Sequence, residues 1–317
     1  MNSIPGVPRT RLAFIGFGEA GRILGEGLVK SGLFDVSAYD ILLEHSVRRA
    51  AMLESIVARN VRAADTAALA VTDARIVISA VTARSAGDVA TAVAPHIAPG
   101  AIFMDINSVS PAAKQANALV MERGGAHYVD AGVMESVPPK GIKVPMLLGG
   151  AKAAELQSLL EPAGMEMEIV SEEIGVASAI KMCRSVMIKG LEALTIECLL
   201  TARRYGVEDR VIASLDKTFP SLDWDKQGDY LMSRVVLHGQ RRAAEMREAA
   251  VTVKEAGLEP WMVAGTVERQ QWVADLASEG VFKRTEGEAF RWRAGADAVH
   301  EHQQLAIAPI AAVRREG

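Results

Sequence analysis

The chain has 317 residues, half of them hydrophobic and 23% charged, which suits two folded domains and excludes a largely disordered chain. A formal net charge of −4, with basic residues in no run longer than pairs such as Arg203-Arg204 and Arg241-Arg242, excludes the broad positive field that attracts nucleic acid. No stretch approaches the ~18 uncharged apolar residues of a membrane span, and no apolar segment of signal-peptide length precedes Arg11, so a cytoplasmic protein without a membrane partner is expected.

In the first half, apolar runs of strand length alternate with helical patterns. RLAFIG (11–16), DVSAYD (35–40), ARIVISA (74–80), AIFMDI (101–106), AHYVDAG (126–132) and VPMLLG (144–149) are the predicted strands, with helices over 19–31, 84–94 and 110–123. Near-continuous apolar strands separated by helices predict a mainly parallel, doubly wound α/β sheet covered on both faces. After about residue 170 only helical periodicity is found, over 173–205, 208–215, 225–256 and 259–278. The expected organisation is therefore a doubly wound, Rossmann-like α/β domain over 11–172 and an all-α domain over 173–317.

Within helix 173–205, apolar residues lie around nearly the whole circumference, which predicts a helix buried on most sides and linking the domains. Cys183 and Cys198 both fall in it, about 22 Å apart along its axis, too far for a disulfide; they read as small buried side chains.

Gly16, Phe17, Gly18, Glu19, Ala20 and Gly21 spell G-F-G-E-A-G between the first strand and the first helix. In that context Gly16 permits the tight turn, Gly18 leaves room for a pyrophosphate at the helix N-terminus, and Gly21 lets helix and strand pack closely. Asp40 ends the second strand 19 residues after Gly21, where a carboxylate can accept hydrogen bonds from a ribose 2′-hydroxyl and repel a 2′-phosphate. NAD is the expected cofactor, with NADP as the alternative because Arg48 and Arg49 lie on the following helix; capping a helix is the other reading of Asp40. Val81 and Thr82 follow the strand over 74–80, at the sheet edge where such folds bind ligands, and are expected to border the nicotinamide ribose.

G-F-G-E-A-G (16–21), D-I-N-S-V-S-P (105–111), D-A-G-V-M-E-S (130–136) and G-V-A-S-A-I-K-M-C-R-S (175–185) occur in an order that resembles the β-hydroxyacid dehydrogenase superfamily. That superfamily includes 6-phosphogluconate and 3-hydroxyisobutyrate dehydrogenases and the imine reductases. The resemblance covers about residues 11–200; beyond it, S-V-M-I-K-G-L-E-A-L (185–194) and H-G-Q-R-R-A-A-E-M (238–246) are similar to a branch whose C-terminal part is called domain of unknown function 1932.

The resemblance implies that Lys181 is the catalytic lysine, exchanging a proton with a substrate hydroxyl or carbonyl while hydride moves to or from the nicotinamide. A lysine desolvated in an apolar helix is suited to that work. Asn107 and Ser108 match the substrate-side loop, Asn107 either bordering cofactor and substrate or capping the helix that starts near Pro111. Met134, Glu135 and Ser136 stand where relatives carry Ser-Gly-Gly. If Glu135 faces the cleft it opposes an anionic substrate and favours a polyol, an aromatic alcohol or an amine.

Arg184, Ser185 and Glu192 share a helical face with Lys181. Ser185 occupies the position where relatives carry asparagine, and Arg184 either binds an anionic substrate group or pairs with a carboxylate. His238, Arg241, Arg242 and Glu245 form one helical stripe, either solvated or reaching an active site, that of a partner subunit included. No metal is expected.

The reading is an NAD(P)-dependent oxidoreductase acting on CH–OH groups of a small molecule, as a homodimer. One alternative is an imine reductase-like enzyme, disfavoured by retention of Lys181; the other is a dinucleotide-binding sensor without catalysis.

Overall fold

In the computed structural model, residues 9–282 and 289–303 are described; the tail 304–317, the end of the expected helical domain, lies outside the described residues. The first part runs β1 (Thr10–Ile15), α1 (Glu19–Lys30), β2 (Phe34–Tyr39), α2 (Arg49–Val57), β3 (Arg62–Ala63), α3 (Ala67–Val71), β4 (Ile76–Ser79), α4 (Ala86–Val93) and β5 (Ile102–Asp105). It continues with α5 (Pro111–Arg123), β6 (His127–Val133), α6 (Val137–Lys140), β7 (Met146–Gly149), α7 (Ala153–Leu160) and β8 (Met167–Ser171). The helices α8 (Val176–Tyr205), α9 (Glu208–Thr218), α10 (Trp224–Glu255), α11 (Trp261–Ser278) and α12 (Trp292–His302) follow.

The eight strands form one sheet in the order β3-β2-β1-β4-β5-β6-β7-β8, parallel at every pairing except β6 with β7. Both sheet faces are buried, which explains the unbroken apolar strands. Leu12, Phe14, Ile76, Ile78, Ile102 and Met104 face one core with Leu24 and Leu28 of α1. Their chain neighbours Ala13, Ile15, Val77 and Phe103 face the other with Ala90 of α4 and Met121 of α5. Strand order reverses between β1 and β4, so Gly16 and Val81, at their C-terminal ends, flank the topological switch point.

Two strands escape the sequence reading. β3 has two residues, and β8 (MEIVS) is an edge strand whose glutamate and half-exposed isoleucine give little apolar contrast.

By internal packing the chain divides inside α8, between Cys183 and Arg184. The helical unit has its own core of Ile196, Leu199, Trp224, Met232, Val235, Val273, Trp292 and Val299. At Gly239 of α10 an added Cβ would lie 2.9 Å from the carbonyl oxygen of Gln270, so that glycine lets α10 and α11 approach closely.

The expectation that helix 173–205 is buried on most sides is corrected: Met187, Ile188, Leu191 and Leu194 are exposed, leaving one apolar face of α8 uncovered. Cys183 and Cys198 are likewise exposed thiols and not core side chains. Among the described residues no helix is long and apolar enough to cross a membrane.

Candidate active site

The glycine loop behaves as its spacing requires. Gly16 sits at φ +90°, and a Cβ there would come within 2.4 Å of the Ala80 carbonyl oxygen. At Gly21 a Cβ would lie 2.6 Å from the Gly16 carbonyl oxygen, so this glycine permits the contact of α1 with β1. Gly18 differs, since a Cβ there would meet nothing within 4 Å. It is also the N-cap of α1, so this open space lies at the positive end of the helix. A cradle with room at Gly18 and a helix N-terminus beside it fits a dinucleotide pyrophosphate.

Phe17 is drawn the other way. Its ring is fully buried edge-on to Phe14, and its amide donates to Asp40 Oδ2 at 2.7 Å, so its side chain serves the core and not a cofactor. Asp40 Oδ1 accepts the Leu42 amide at 3.0 Å, capping a short 3₁₀ turn. The carboxylate therefore fastens the glycine loop to the end of β2, and each oxygen retains a lone pair facing elsewhere. Of the two arginines that might meet a 2′-phosphate, Arg49 donates to the Leu43 carbonyl (2.6 Å) and to Asp65 (2.9 Å), which ties it to the protein. Ile41, next to Asp40, is 71% exposed.

Beyond β4, the Val81 amide donates to Asn107 Oδ1 at 2.7 Å, and Thr82 is an exposed residue whose hydroxyl lies 3.1 Å from that of Ser85. Asn107 is buried, and its Nδ2 donates to Ser79 Oγ at 2.9 Å. It thus staples the end of β5 to the end of β4. The reading of Asn107 as a helix cap is corrected, because Ser110 caps α5 through its hydroxyl.

Lys181 Nζ donates to Ser108 Oγ at 2.6 Å. α8 reaches this position over glycines. Gly175 (φ +101°) starts the helix, and at Gly132 of β6 a Cβ would lie 3.1 Å from the Ala177 carbonyl oxygen and 3.6 Å from Lys181 Cβ.

Beneath that pair lies a polar cluster that the sequence reading missed. Lys114, fully buried, donates to the Asp105 carbonyl oxygen (2.7 Å), and its ammonium forms ion pairs with Asp105 Oδ1 (3.1 Å) and Asp130 Oδ1 (3.3 Å). Asp105 and Asp130 are register partners on β5 and β6, so their carboxylates would repel without the ammonium between them. Tyr128 donates to Asp105 Oδ2 at 2.5 Å, and burial together with that carboxylate holds its phenol well above the ordinary range. Asp130 in turn accepts the Ser178 amide (2.9 Å) and hydroxyl (2.7 Å) at the first turn of α8. A signal was present in the sequence: Lys114, Asn117, Ala118 and Met121 follow helical spacing and form the buried face of α5.

Glu135 is exposed, and its carboxylate lies 3.6 Å from Lys140 Nζ. That exposed cation offsets part of its charge. Met134 and Ser136, on either side, are half-buried.

In the helical unit, Ser185 accepts from Lys189 Nζ at 3.3 Å, and Lys189 pairs with Glu245 at 2.7 Å. Glu192, expected on the face of Lys181, is instead buried in the helical unit: Arg242 grips it with two hydrogen bonds, the Nε–Oε2 one at 2.7 Å, and Gln270 adds a third at 3.1 Å. The His238 stripe is divided: Arg242 is buried, against the solvated reading, while His238 and Arg241 are exposed and line a shallow depression with Gly239 and Ala274. Arg184 is exposed.

A doubly wound sheet with an open glycine cradle at its switch point defines a dinucleotide-binding protein. Residues 11–170 match the family model described as the NAD binding domain of 6-phosphogluconate dehydrogenase, and 202–273 match the domain of unknown function 1932. The chain belongs to this family, within the β-hydroxyacid dehydrogenase superfamily.

An uncharacterized 28.5 kDa protein of Methanothermus fervidus is 31% identical over 194 residues, 60% of this chain and 72% of the other. Human mitochondrial 3-hydroxyisobutyrate dehydrogenase is 23% identical over 210 residues, 65% of this chain, and the match spans 61% of that enzyme. The crystal structure of a conserved hypothetical protein from Sinorhizobium meliloti 1021 superposes with a TM-score of 0.75 at 36% identity, covering 93% of this chain and 97% of that one. A reductive aminase from Aspergillus terreus in complex with NADPH and ethyl levulinate shares the fold at 15% identity and a TM-score of 0.54, covering 92% and 99%.

Proposed function

We propose that the protein is an NAD-linked dehydrogenase that interconverts an alcohol and a carbonyl on a small organic substrate, with Lys181 as general acid and base. The observation that carries this reading is the 2.6 Å hydrogen bond from Lys181 to Ser108, near the switch-point edge of a cofactor cradle. When bound, the nicotinamide supplies or takes the hydride. The protein's part is to hold pyrophosphate at Gly18 and the amides of Glu19, Ala20 and Gly21, with Asp40 and the Val81–Thr82 turn bordering the riboses.

On the substrate side, Lys181 passes a proton to or from the reacting oxygen, and Ser108 shares the hydrogen bond that orients it. Asn107 places Ser108. Met134 and Ser136 after β6 are proposed to line the substrate's far side.

NAD is preferred over NADP, because exposed Ile41 follows Asp40 and Arg49 is engaged within the protein. The uncovered apolar side chains Met187 and Leu194 of α8 and Trp261 and Met262 of α11 support a homodimer.

The test is NAD and NADP reduction across hydroxyacids, polyols, aromatic alcohols and amines, wild type beside Lys181→Ala. Activity on an alcohol that disappears in the variant while cofactor still binds supports the reading. Turnover confined to amines moves the reaction to a carbon–nitrogen bond, and cofactor binding without any turnover leaves a sensor.

A further inference from the structure

The buried Lys114–Asp105–Asp130 cluster lies outside every role assigned so far, and it connects two otherwise separate parts of the site. At one end, Asp105 Oδ1 accepts the Asn107 amide at 2.8 Å, and Asn107 holds the Val81 amide on the cofactor side. At the other, Asp130 holds both the amide and the hydroxyl of Ser178, one helical turn before Lys181. Lys114 forms an ion pair with each carboxylate and so joins the two ends.

We infer that Lys114, Asp130 and Ser178 are positioning residues that seat Lys181 on the Ser108 hydroxyl. The first-turn amides of a helix lack intrahelical partners, and a buried carboxylate that accepts one of them fixes where the helix begins. Asp130 does this from β6, and Lys114 fixes Asp130 relative to Asp105, whose own carboxylate fixes the loop bearing Ser108. Lys181 and Ser108 come from distant stretches of chain, so their contact is only as precise as this ladder. Purely apolar residues could fill the same volume, but none could set the rotation and depth of α8 by directed bonds. The inference rests on the acid–base reading of Lys181 for its consequence in catalysis, although the seating itself is a property of the folded chain.

The experiment measures Lys181 without requiring turnover. Wild type, Asp130→Asn and Ser178→Ala are labelled with trace acetic anhydride, and acetylation of Lys181 is compared by peptide mass spectrometry with that of Lys226, whose side chain is 80% exposed. Loosening of the seat is expected to raise the Lys181 rate by about threefold, with Lys226 and the far-ultraviolet circular dichroism unchanged. A rise below about twofold in the folded variants overturns the inference.

Ser178→Ala removes only a hydroxyl, so it decides the matter if Asp130→Asn does not fold. On a substrate found by the panel above, the same variants should lose turnover by about tenfold while KM and cofactor affinity hold, the split expected of misplaced chemistry. If wild type turns over nothing, the labelling result still stands and only the functional reading falls.

Discussion

The Lys181 ammonium nitrogen and the Ser108 hydroxyl oxygen are 2.6 Å apart although 73 residues separate them in the chain. The lysine donates, so the serine keeps its own proton for a second hydrogen bond, and the two groups together present one acid and one orienting donor to a reacting oxygen.

That pairing orders the effects of substitution. Lys181→Ala should lower kcat by about 10²- to 10⁴-fold, the usual contribution of a general acid or base, with cofactor affinity unchanged by calorimetry. Ser108→Ala should cost about tenfold in kcat/KM, as expected for loss of one orienting hydrogen bond. An equal loss in cofactor affinity for either variant would show that the residue serves binding and not proton transfer.

The glycine loop separates binding from stability. Gly18→Ala meets no protein atom within 4 Å, so the melting temperature should match wild type while NAD affinity falls. Gly21→Ala drives a methyl to 2.6 Å from the Gly16 carbonyl oxygen and should lower both. Thermal melts with and without NAD distinguish the two, and a normal ligand-induced shift for Gly18→Ala would remove the pyrophosphate from this cradle.

Cofactor choice should turn on the residue after Asp40. Ile41→Arg places a guanidinium where a 2′-phosphate would sit, with no core to disturb, because Ile41 is 71% exposed. The ratio of NADP to NAD affinity should rise by about tenfold, equivalent to one charge-assisted hydrogen bond. An unchanged ratio would place the adenosine ribose elsewhere.

In the helical unit, burial holds the Glu192 carboxyl above the ordinary value of 4.5 against the pull of Arg242. The folded chain therefore keeps this proton more tightly than the unfolded chain does. Stability from Glu192 is full below the ordinary value and declines as pH rises through the raised folded one. Glu192→Gln should flatten that slope in guanidinium unfolding followed as pH rises above 4.5. Glu192→Ala leaves Arg242 buried beside an empty site and should cost about 3–5 kcal/mol.

Local regularities made much of this molecule readable. Unbroken apolar strands reveal a sheet covered on both faces, because period-two alternation disappears when each side meets helices, and the clusters around Leu12 and Ala13 show that arrangement. G-F-G-E-A-G reveals its own roles because each glycine answers to backbone sterics within a few residues. The edge strand β8 was not legible, since one exposed side gives a short segment little apolar signature.

What the amino-acid sequence determined by itself was the doubly wound fold, the glycine cradle and the lysine on α8. The tertiary structure alone decided the partners of the charged side chains. Nothing local to Glu192 indicates that Arg242, 50 residues on, will hold it in the helical core, and nothing local to Asp40 indicates that the Phe17 amide will occupy one of its oxygens. Lys114 shows the reason most directly. A lysine is tolerated at 0% exposure only because strands β5 and β6, paired in register, bring Asp105 and Asp130 together against its ammonium, and that pairing exists only once the sheet has formed.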